Sequence, residues 1–339
     1  MPNPTQADLH VNVPLTNVSI AYMQSADSFI ADKVFPGVPV QKQSDLYWKY
    51  SKSDWRRTDV KRRAPGTESP GVGWNQVLDQ YFCHVYAVHK DIADQERSNV
   101  DSNFNLERLA TEFITNQHLL RRDVDWTASY FKTGVWGTER TGITTAGVAG
   151  TSFTQWDQAA SDPIGDVARY FIEFRRLTGF APNIAVLGPH VMNALKQHPD
   201  IIDRIKYTQR GIVSEDLIAT LFDVDELYVS YASISSGPQI NDAVTQDAAA
   251  TYAFIGDPTA VLFAYAPSSP SLMTPSAGYM FMWKGYLGGN AKGVRVKRFR
   301  MEHIASDRIE AEQTYDMHVV AADMGLFLGG AVAAVATGG

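Results

Sequence analysis

Eight histidines and one cysteine are the residues of this 339-residue chain best suited to metal or nucleophilic chemistry, and their spacing supports neither. The histidines are His10, His84, His89, His118, His190, His198, His303 and His318. No two stand at i, i+4, which would put a pair of imidazoles on one helix face, and no cysteine cluster exists, so no metal site is expected. Cys83 has no partner for an intrachain disulfide and sits in an apolar-aromatic run, where it reads as a small buried hydrophobe. A GxSxG elbow and a GxxxxGK[ST] phosphate loop are both absent. Gly288, Gly289 and Gly293 read as a turn between strands. Asp200 and Asp203 beside Arg204 have residue types for acid–base work, but at this spacing on a polar helix they read as a solvated face with local ion pairs. No catalytic residue and no cofactor are expected; the enzyme alternative is a site assembled from scattered residues between 162 and 284.

The basic stretch from Lys49 to Arg63 is the other chemically distinctive segment. Lys49, Lys52, Arg56, Arg57, Lys61, Arg62 and Arg63 stand against Asp54 and Asp59, a local charge of +5. Three readings are open. Trp48, Tyr50 and Trp55 could stack on nucleic-acid bases; the charges could merely solvate a loop; or the loop could meet an acidic surface on another copy of the chain, where repeated weak pairs set registry and partner choice. The formal net charge of −7 argues against a general nucleic-acid binder and fits the third reading best.

The loop belongs to a larger device. The Pro-punctuated patch Val34-Phe35-Pro36-Gly37-Val38-Pro39-Val40 leads into a strand, Leu46–Tyr50, whose expected partner is Val77–Val88. A two-stranded ribbon is marginal in water without a surface beneath it. The expected floor is another subunit, which points to assembly instead of catalysis.

Around this ribbon the chain reads as an ordinary folded protein, 45% apolar and 20% charged, long enough for two lobes. No signal peptide and no span of roughly 20 apolar residues is visible, so neither export nor membrane insertion is expected. Residues 1 to 33 read as an extended arm with a short helix near Ile20 to Ile30. A long helix is expected from about Phe104 to about Phe131, capped by Asp101, Ser102 or Asn103. Its apolar stripe would be Leu106, Leu109, Phe113, Leu120, Val124, Ala128 and Phe131, over roughly 40 Å. Residues 133 to 160 read as an irregular loop or small hairpin bounded by Trp136 and Trp156.

From Asp162-Pro163 an α/β unit follows. Its first helix has the apolar face Ile164, Val167, Ala168, Phe171 and Phe174 and closes at Gly179. Then come the strand Ile184–Leu187, a helix from Pro189 to before His198-Pro199, a helix from Glu215 to Phe222 capped by Ser214, and the strand Glu226–Tyr231. Strands at Tyr252–Ile255, Val261–Tyr265 and Tyr279–Trp283 are expected to complete one sheet. Alternation from Val294 to Phe299 and from Ile309 to Val319 predicts long antiparallel strands packing on the long helix.

In this order and spacing the sequence resembles the major capsid proteins of tailed bacteriophages, with the Hong Kong phage-type fold that they share with encapsulins. The residues that carry the resemblance are Val34-Phe35-Pro36 with Val38-Pro39-Val40, the basic loop with Ala64-Pro65-Gly66, the long spine helix, Thr178-Gly179-Phe180-Ala181-Pro182-Asn183, Leu187-Gly188, Leu195 before His198-Pro199, and the strands from Arg308 to Ala321. The match covers nearly the whole chain.

The resemblance implies an α+β fold with an N-terminal arm at residues 1–40, an extended hairpin loop at 41–90, a peripheral domain with the spine helix at 91–160, an axial domain at 161–285, and return strands with a tail at 286–339. It implies a structural protein, not an enzyme, that forms hexamers and pentamers of itself in an icosahedral shell. That shell encloses double-stranded DNA without reading its sequence, in a virion assembled in the host cytoplasm. The alternative is an encapsulin-like compartment holding protein cargo. Scaffolding, portal and cement proteins are the further partners implied. The sequence lacks the family's long coiled-coil leader, so scaffolding is expected from a separate protein or a longer precursor. Lys49, Lys52 and Lys61 are available for the loop crosslink of some relatives, but no acceptor is identifiable and none is expected. The residues expected at contacts between copies are Trp48, Lys49, Lys52, Trp55, Arg56, Arg57, Lys61, Arg62 and Arg63.

Overall fold

The computed structural model describes residues 24–99, 105–205, 213–237, 246, 250–270, 274–286 and 294–334. Most of the expected arm, including the start of its helix near Ile20, the expected caps Asp101, Ser102 and Asn103, and the glycines at 288, 289 and 293 lie outside them.

The fold is α+β and is organised around two sheets joined by one long helix. A short helix, α1 (Ala31–Val34), leads into β1 (Gly37–Val40). The hairpin is β2 (Ser44–Tyr50), a one-turn helix α2 (Lys52–Trp55) and β3 (Gln76–Phe82). The expected second strand, Val77–Val88, is broken at Cys83: β4 (His84–Ala93) leaves the hairpin and enters the main body. A short helix α3 (Asp94–Asn99) precedes the spine α4 (Leu106–Tyr130).

The spine starts where the Asn105 side chain accepts the backbone N–H of Arg108 at 3.0 Å, a side-chain N-cap. Pairs at i, i+4 support its outer face, Arg108 with Glu112 at 2.7 Å and Arg121 with Asp125 at 2.8 Å. Its buried face differs from the expected stripe. Ala110, Ile114, His118, Arg122, Asp123, Trp126 and Thr127 face inward, while Phe113 is 49% exposed and Ala128 is also exposed. His118 and Arg122 are tolerated there because tertiary partners meet them. His118 Nε2 meets the Ala311 carbonyl at 3.0 Å, and Arg122 pairs with Asp32 of α1.

Residues 133 to 160 are not a hairpin. They supply β5 (Thr138–Ile143) and β6 (Ser152–Thr154), which run parallel. Next comes α5 (Pro163–Thr178), capped by the Asp162 carboxylate on the Gly165 N–H at 2.9 Å and ended by Gly179 at φ 84°, the left-handed conformation that glycine adopts without strain. Ile164, Val167, Phe171 and Phe174 bury as expected, and Ala168 stays exposed.

Then come β7 (Ile184–Leu187), α6 (Pro189–Gln197), α7 (Pro199–Ile205), α8 (Glu215–Leu221), β8 (Glu226–Val229), β9 (Ser233–Ser236), β10 (Thr251–Phe254) and β11 (Val261–Ala264). The last strands are β12 (Gly278–Trp283), β13 (Val294–Met301), β14 (Ser306–Val319) and β15 (Gly325–Gly329).

The larger sheet has the order β6-β5-β15-β11-β7-β8. Its central strands β15, β11 and β7 are buried along their whole length, which is why they read as unbroken apolar runs. This sheet draws β5, β6 and β15 from outside the stretch 161–285. The expected single sheet for 161–285 is corrected in two places. Among the described residues β10 pairs with β9 in a separate ribbon, and β12 joins the second sheet, where it lies between β1 and β14. In that second sheet β14 also pairs antiparallel with β13 and β4, and the sheet packs on the spine, as expected of the closing strands.

Phe35 ties the two parts together. It is fully buried against Trp126, Tyr130 and Trp136 at centroid distances of 5.0–6.5 Å. A side chain at Gly278 would lie 2.4 Å from the Phe35 ring, so only glycine lets β12 pass this close.

Candidate assembly interface

The hairpin pairs β2 with β3 in register from Ser44↔Phe82 to Tyr50↔Gln76. Strand alternation divides it into two faces. On the inner face Tyr81 is buried and stacks on Phe281 of β12 at 4.6 Å, and Tyr47 packs against the same ring at 5.2 Å. The Tyr47 hydroxyl donates to Asp79 at 2.9 Å, and Lys49 Nζ lies 2.6 Å from the same carboxylate. That ammonium holds the Asp79 carboxyl down to about 2, while burial, with Asp79 beside it, pushes the Tyr47 hydroxyl up.

Among the described residues nothing covers the outer face. Leu46, Trp48, Leu78 and Phe82 share it, each about half exposed, and Tyr50 extends it. Towards the tip, Trp55 stacks on Trp74 at 6.1 Å and meets Tyr50 edge-on at 6.3 Å, leaving both tryptophans more than half exposed. Asp54 closes the tip by accepting the Asn75 backbone N–H at 2.7 Å. Such a run of exposed aromatic and aliphatic side chains on one ribbon face marks an interaction surface.

The nine expected contact residues separate into two groups. Lys49, Lys52 and Arg56 engage their own chain. Lys49 reaches the Val319 carbonyl at 3.3 Å, Lys52 pairs with Asp323, and Arg56 donates to the carbonyls of Arg176, at 2.8 Å, and Leu177. Arg56 thus places a cation at the C-terminal end of α5, where the helix dipole favours one. The expectation that the ribbon finds its floor only on another copy is corrected at the root, where β12 and β14 of the same chain supply part of it. The other six stay at the surface. Trp48 and Trp55 are half exposed, Arg57 pairs locally with Asp59 at 2.7 Å, and Arg63 folds back on the Thr67 carbonyl. Lys61 and Arg62 are exposed, with no ion-pair partner among the described residues. Leu46, Leu78, Phe82 and Trp74 complete the exposed surface but were not among the expected contacts, although the period-two pattern Leu46-Trp48-Tyr50 already carried the signal.

The spine clamps the arm. Asp123 Oδ1 accepts the backbone N–H groups of Ile30 at 2.9 Å and Ala31 at 2.8 Å, satisfying the start of α1 from outside the helix. Burial pushes this carboxyl up to about 6 despite those two donors. The arm also docks at Gln24, whose amide donates to the Ser233 carbonyl at 2.6 Å and accepts the Ser233 N–H at 2.9 Å, completing the edge of β9.

One arrangement has the outline of a nucleophile–base pair. Ser161 Oγ lies 3.0 Å from His198 Nε2, with Asp200 on the far side of the ring. Its proton directions are wrong for catalysis. The Asp200 backbone N–H donates to His198 Nδ1 at 3.2 Å, so Nε2 carries the proton, and Ser161 donates to the Gln158 carbonyl at 2.7 Å. Burial lowers the His198 pKa and keeps the ring neutral. The pair therefore works as a structural hydrogen-bond relay between the start of α7 and the loop before α5. Cys83 is fully buried, and its thiol is pushed up to about 12 by burial. Among the described residues, no group of three or more His, Cys, Asp or Glu is placed to hold a metal, and no helix is long and apolar enough to cross a membrane.

No family model matches the chain. It is 28% identical over 229 residues to the major capsid protein of Burkholderia phage BcepMu, covering 66% of this chain and 69% of that protein. It is 27% identical over 238 residues to the major capsid protein of Pseudomonas phage JBD67, covering 68% and 72%. Among solved structures it is similar to a phage-related protein from Bordetella bronchiseptica, with a TM-score of 0.67 at 19% identity over 91% of this chain and 94% of that one. The capsid of cyanophage P-SCSP1u follows at 0.58, with 13% identity over 95% and 93%. An encapsulin complex from Synechococcus elongatus gives 0.55, with 10% identity over 94% and 93%.

Proposed function

Because this chain is a relative of phage major capsid proteins and has the Hong Kong phage-type capsid fold, we propose that it is the structural subunit of a bacteriophage capsid and works by binding copies of itself. Its place is the virion shell, and it is not an enzyme. The observation that carries the reading is the hairpin. Among the described residues, the ribbon's root rests on β12 and β14 while its outer face keeps Leu46, Trp48, Leu78 and Phe82 uncovered, a surface suited to a partner.

In this reading the copies form hexamers and pentamers that tile an icosahedral shell around double-stranded DNA. The hairpin outer face, with Trp48, Trp55, Arg57, Lys61, Arg62 and Arg63, contacts a neighbouring copy, while Lys49, Lys52 and Arg56 fix the ribbon's angle on its own body. Residues 161–285 form most of the axial unit, and the spine with its sheet forms the peripheral one. Scaffolding, portal and cement proteins are the further partners. DNA is enclosed without base recognition, and the overall negative charge argues against general nucleic-acid binding. The encapsulin-like alternative shares the fold, and the sequence kinship with phage capsid proteins favours the viral reading.

Expression of the chain together with its neighbouring phage genes, followed by electron microscopy and nuclease-protected DNA analysis, tests the proposal. Closed shells that package DNA are expected. A persistent monomer with all partner proteins present overturns it, and DNA-free shells loaded with an enzyme transfer the assignment to the compartment reading.

A further inference from the structure

The hairpin joins the body at a fork. β3 ends at Phe82, Cys83 crosses, and β4 begins at His84, paired with Tyr315 at the last rung of its ladder with β14. Gln43 and Cys83 close the hairpin side of the fork, with the Cys83 N–H donating to the Gln43 carbonyl at 2.8 Å and the Gln43 amide donating to the Cys83 carbonyl at 3.2 Å. On the body side stands Asp316, one residue past that last rung. Its Oδ2 accepts the Phe82 backbone N–H at 2.7 Å and also lies 2.8 Å from His318 Nε2. One carboxylate oxygen therefore pins the hairpin's last amide and holds an imidazole.

The charges around this joint come from both sides. From the hairpin, Asp79 and Lys49 face His318, and Lys49 also reaches the carbonyl of Val319 next to it. Tyr47 lies on the same face and feels both Asp79 and Asp316. From the body, Tyr279 pairs with His318 across β12 and β14, Tyr130 of the spine feels Asp316, and Cys83 at the crossing does too. The three tyrosine hydroxyls and the thiol are all raised by burial and stay neutral in the physiological range. The charge of the joint is thus set by two carboxylates, Asp79 and Asp316, and two cations, Lys49 and protonated His318.

We propose that His318 is a protonation switch at the root of the hairpin: charged, it balances Asp316 and Asp79 and holds the ribbon at its fixed angle; neutral, it leaves the two carboxylates of the fork against a single cation, and the ribbon swings more freely. The inference rests on the geometry of the fork and not on the capsid reading. The Asp316 carboxylate raises the pKa of His318 above its ordinary value. A raised histidine contributes its stabilisation fully below its unfolded pKa of about 6.5 and loses it as pH rises through the higher folded value. The hairpin is therefore tightest on the acid side of neutrality and loosens on the alkaline side.

Hydrogen exchange of the full-length unassembled chain, read at the Phe82 amide and corrected for the intrinsic pH dependence of exchange, tests this directly. Between about pH 6 and about pH 8.5 the protection of Phe82 should fall by roughly two- to tenfold, the range of one partly buried charge pair. Protection of the core strand Val261–Ala264 should not change over the same interval. His318→Arg, which keeps a cation at every pH, should hold Phe82 protection level across it, and Asp316→Asn should lower that protection even at the acid end. PH-independent protection of Phe82 in the natural chain, a His318→Arg chain that loses protection as the natural one does, or an Asp316→Asn chain with undiminished protection overturns the proposal.

Discussion

The carboxylate of Asp123, in the C-terminal half of the spine, sits 2.8 Å from the backbone N–H of Ala31, at the start of the arm helix. Together with its bond to Ile30, this makes one side chain the N-terminal cap of a helix 92 residues away in sequence. Removing it orphans two buried N–H groups at once. Asp123→Ala should lower stability by about 2–4 kcal/mol, and Asp123→Asn, which keeps an acceptor, should stay closer to or above the natural chain. Chemical denaturation of the two variants checks the order.

The same group has a pH signature. Its folded carboxyl, at about 6, lies above the ordinary aspartate value, so the folded chain holds a proton that the unfolded chain has released. Its contribution to stability is complete below about pH 4 and is lost as pH rises to about 6. Stability profiles of the natural chain and Asp123→Asn should therefore converge on the acid side and separate above it. Parallel profiles over that interval would show that burial does not perturb this carboxyl.

Adjacent spine residues should behave in opposite ways. Ile114 is 1% exposed and Phe113 is 49% exposed. Ile114→Ala should destabilise the single chain by about 2–5 kcal/mol, and Phe113→Ala should stay within about 0.5 kcal/mol. Thermal unfolding of the unassembled variants separates them. A larger loss at Phe113 would mean that the spine is rotated from the orientation described.

Cys83 should resist alkylation. With the thiol fully buried and its pKa at about 12, iodoacetamide at mildly alkaline pH should label the native chain far more slowly than the chain in denaturant. Intact-mass spectrometry reads the outcome. Rapid native labelling would show that the fork at Cys83 opens readily.

Local signals in the sequence were legible where local chemistry decides the structure. Asp162-Pro163 and Gly179 bracket α5 because an N-cap, a proline in the first turn and a left-handed glycine act within a few residues. The apolar run Ile184–Leu187 is a strand because it is buried on both sides. The buried face of the spine departs from the apolar stripe for the opposite reason. His118, Arg122 and Asp123 look like surface residues until their partners Ala311, Asp32 and Ala31 arrive from distant segments. Which sheet Tyr279–Trp283 joins likewise depends on β1 and β14, and β5 and β6 are short parallel strands that hold only as part of the larger sheet. At the candidate interface the ribbon and its basic tip were readable from composition and alternation. The turn of Lys49, Lys52 and Arg56 onto their own chain was not, since long cations give no sequence sign of which carbonyl or carboxylate they reach.

The tip can be tested by reversing its charge. Arg57, Arg62 and Arg63 make no described contact outside the hairpin, so their joint replacement by glutamate should leave thermal unfolding of the free chain nearly unchanged and impair shell formation. Arg56→Glu added to the set should also release the ribbon from the end of α5, because it puts an anion where the helix dipole favours a cation. Normal particles from the triple variant would reduce the tip to a solvated surface.

We infer that a second copy covers the outer face of the hairpin in the assembled shell. A cryo-electron microscopy reconstruction of the assembled particle, at a resolution that shows side chains, measures it directly. Leu46, Trp48, Leu78 and Phe82 should be buried there against an adjacent subunit. A closed particle in which those four side chains remain in solvent would contradict it.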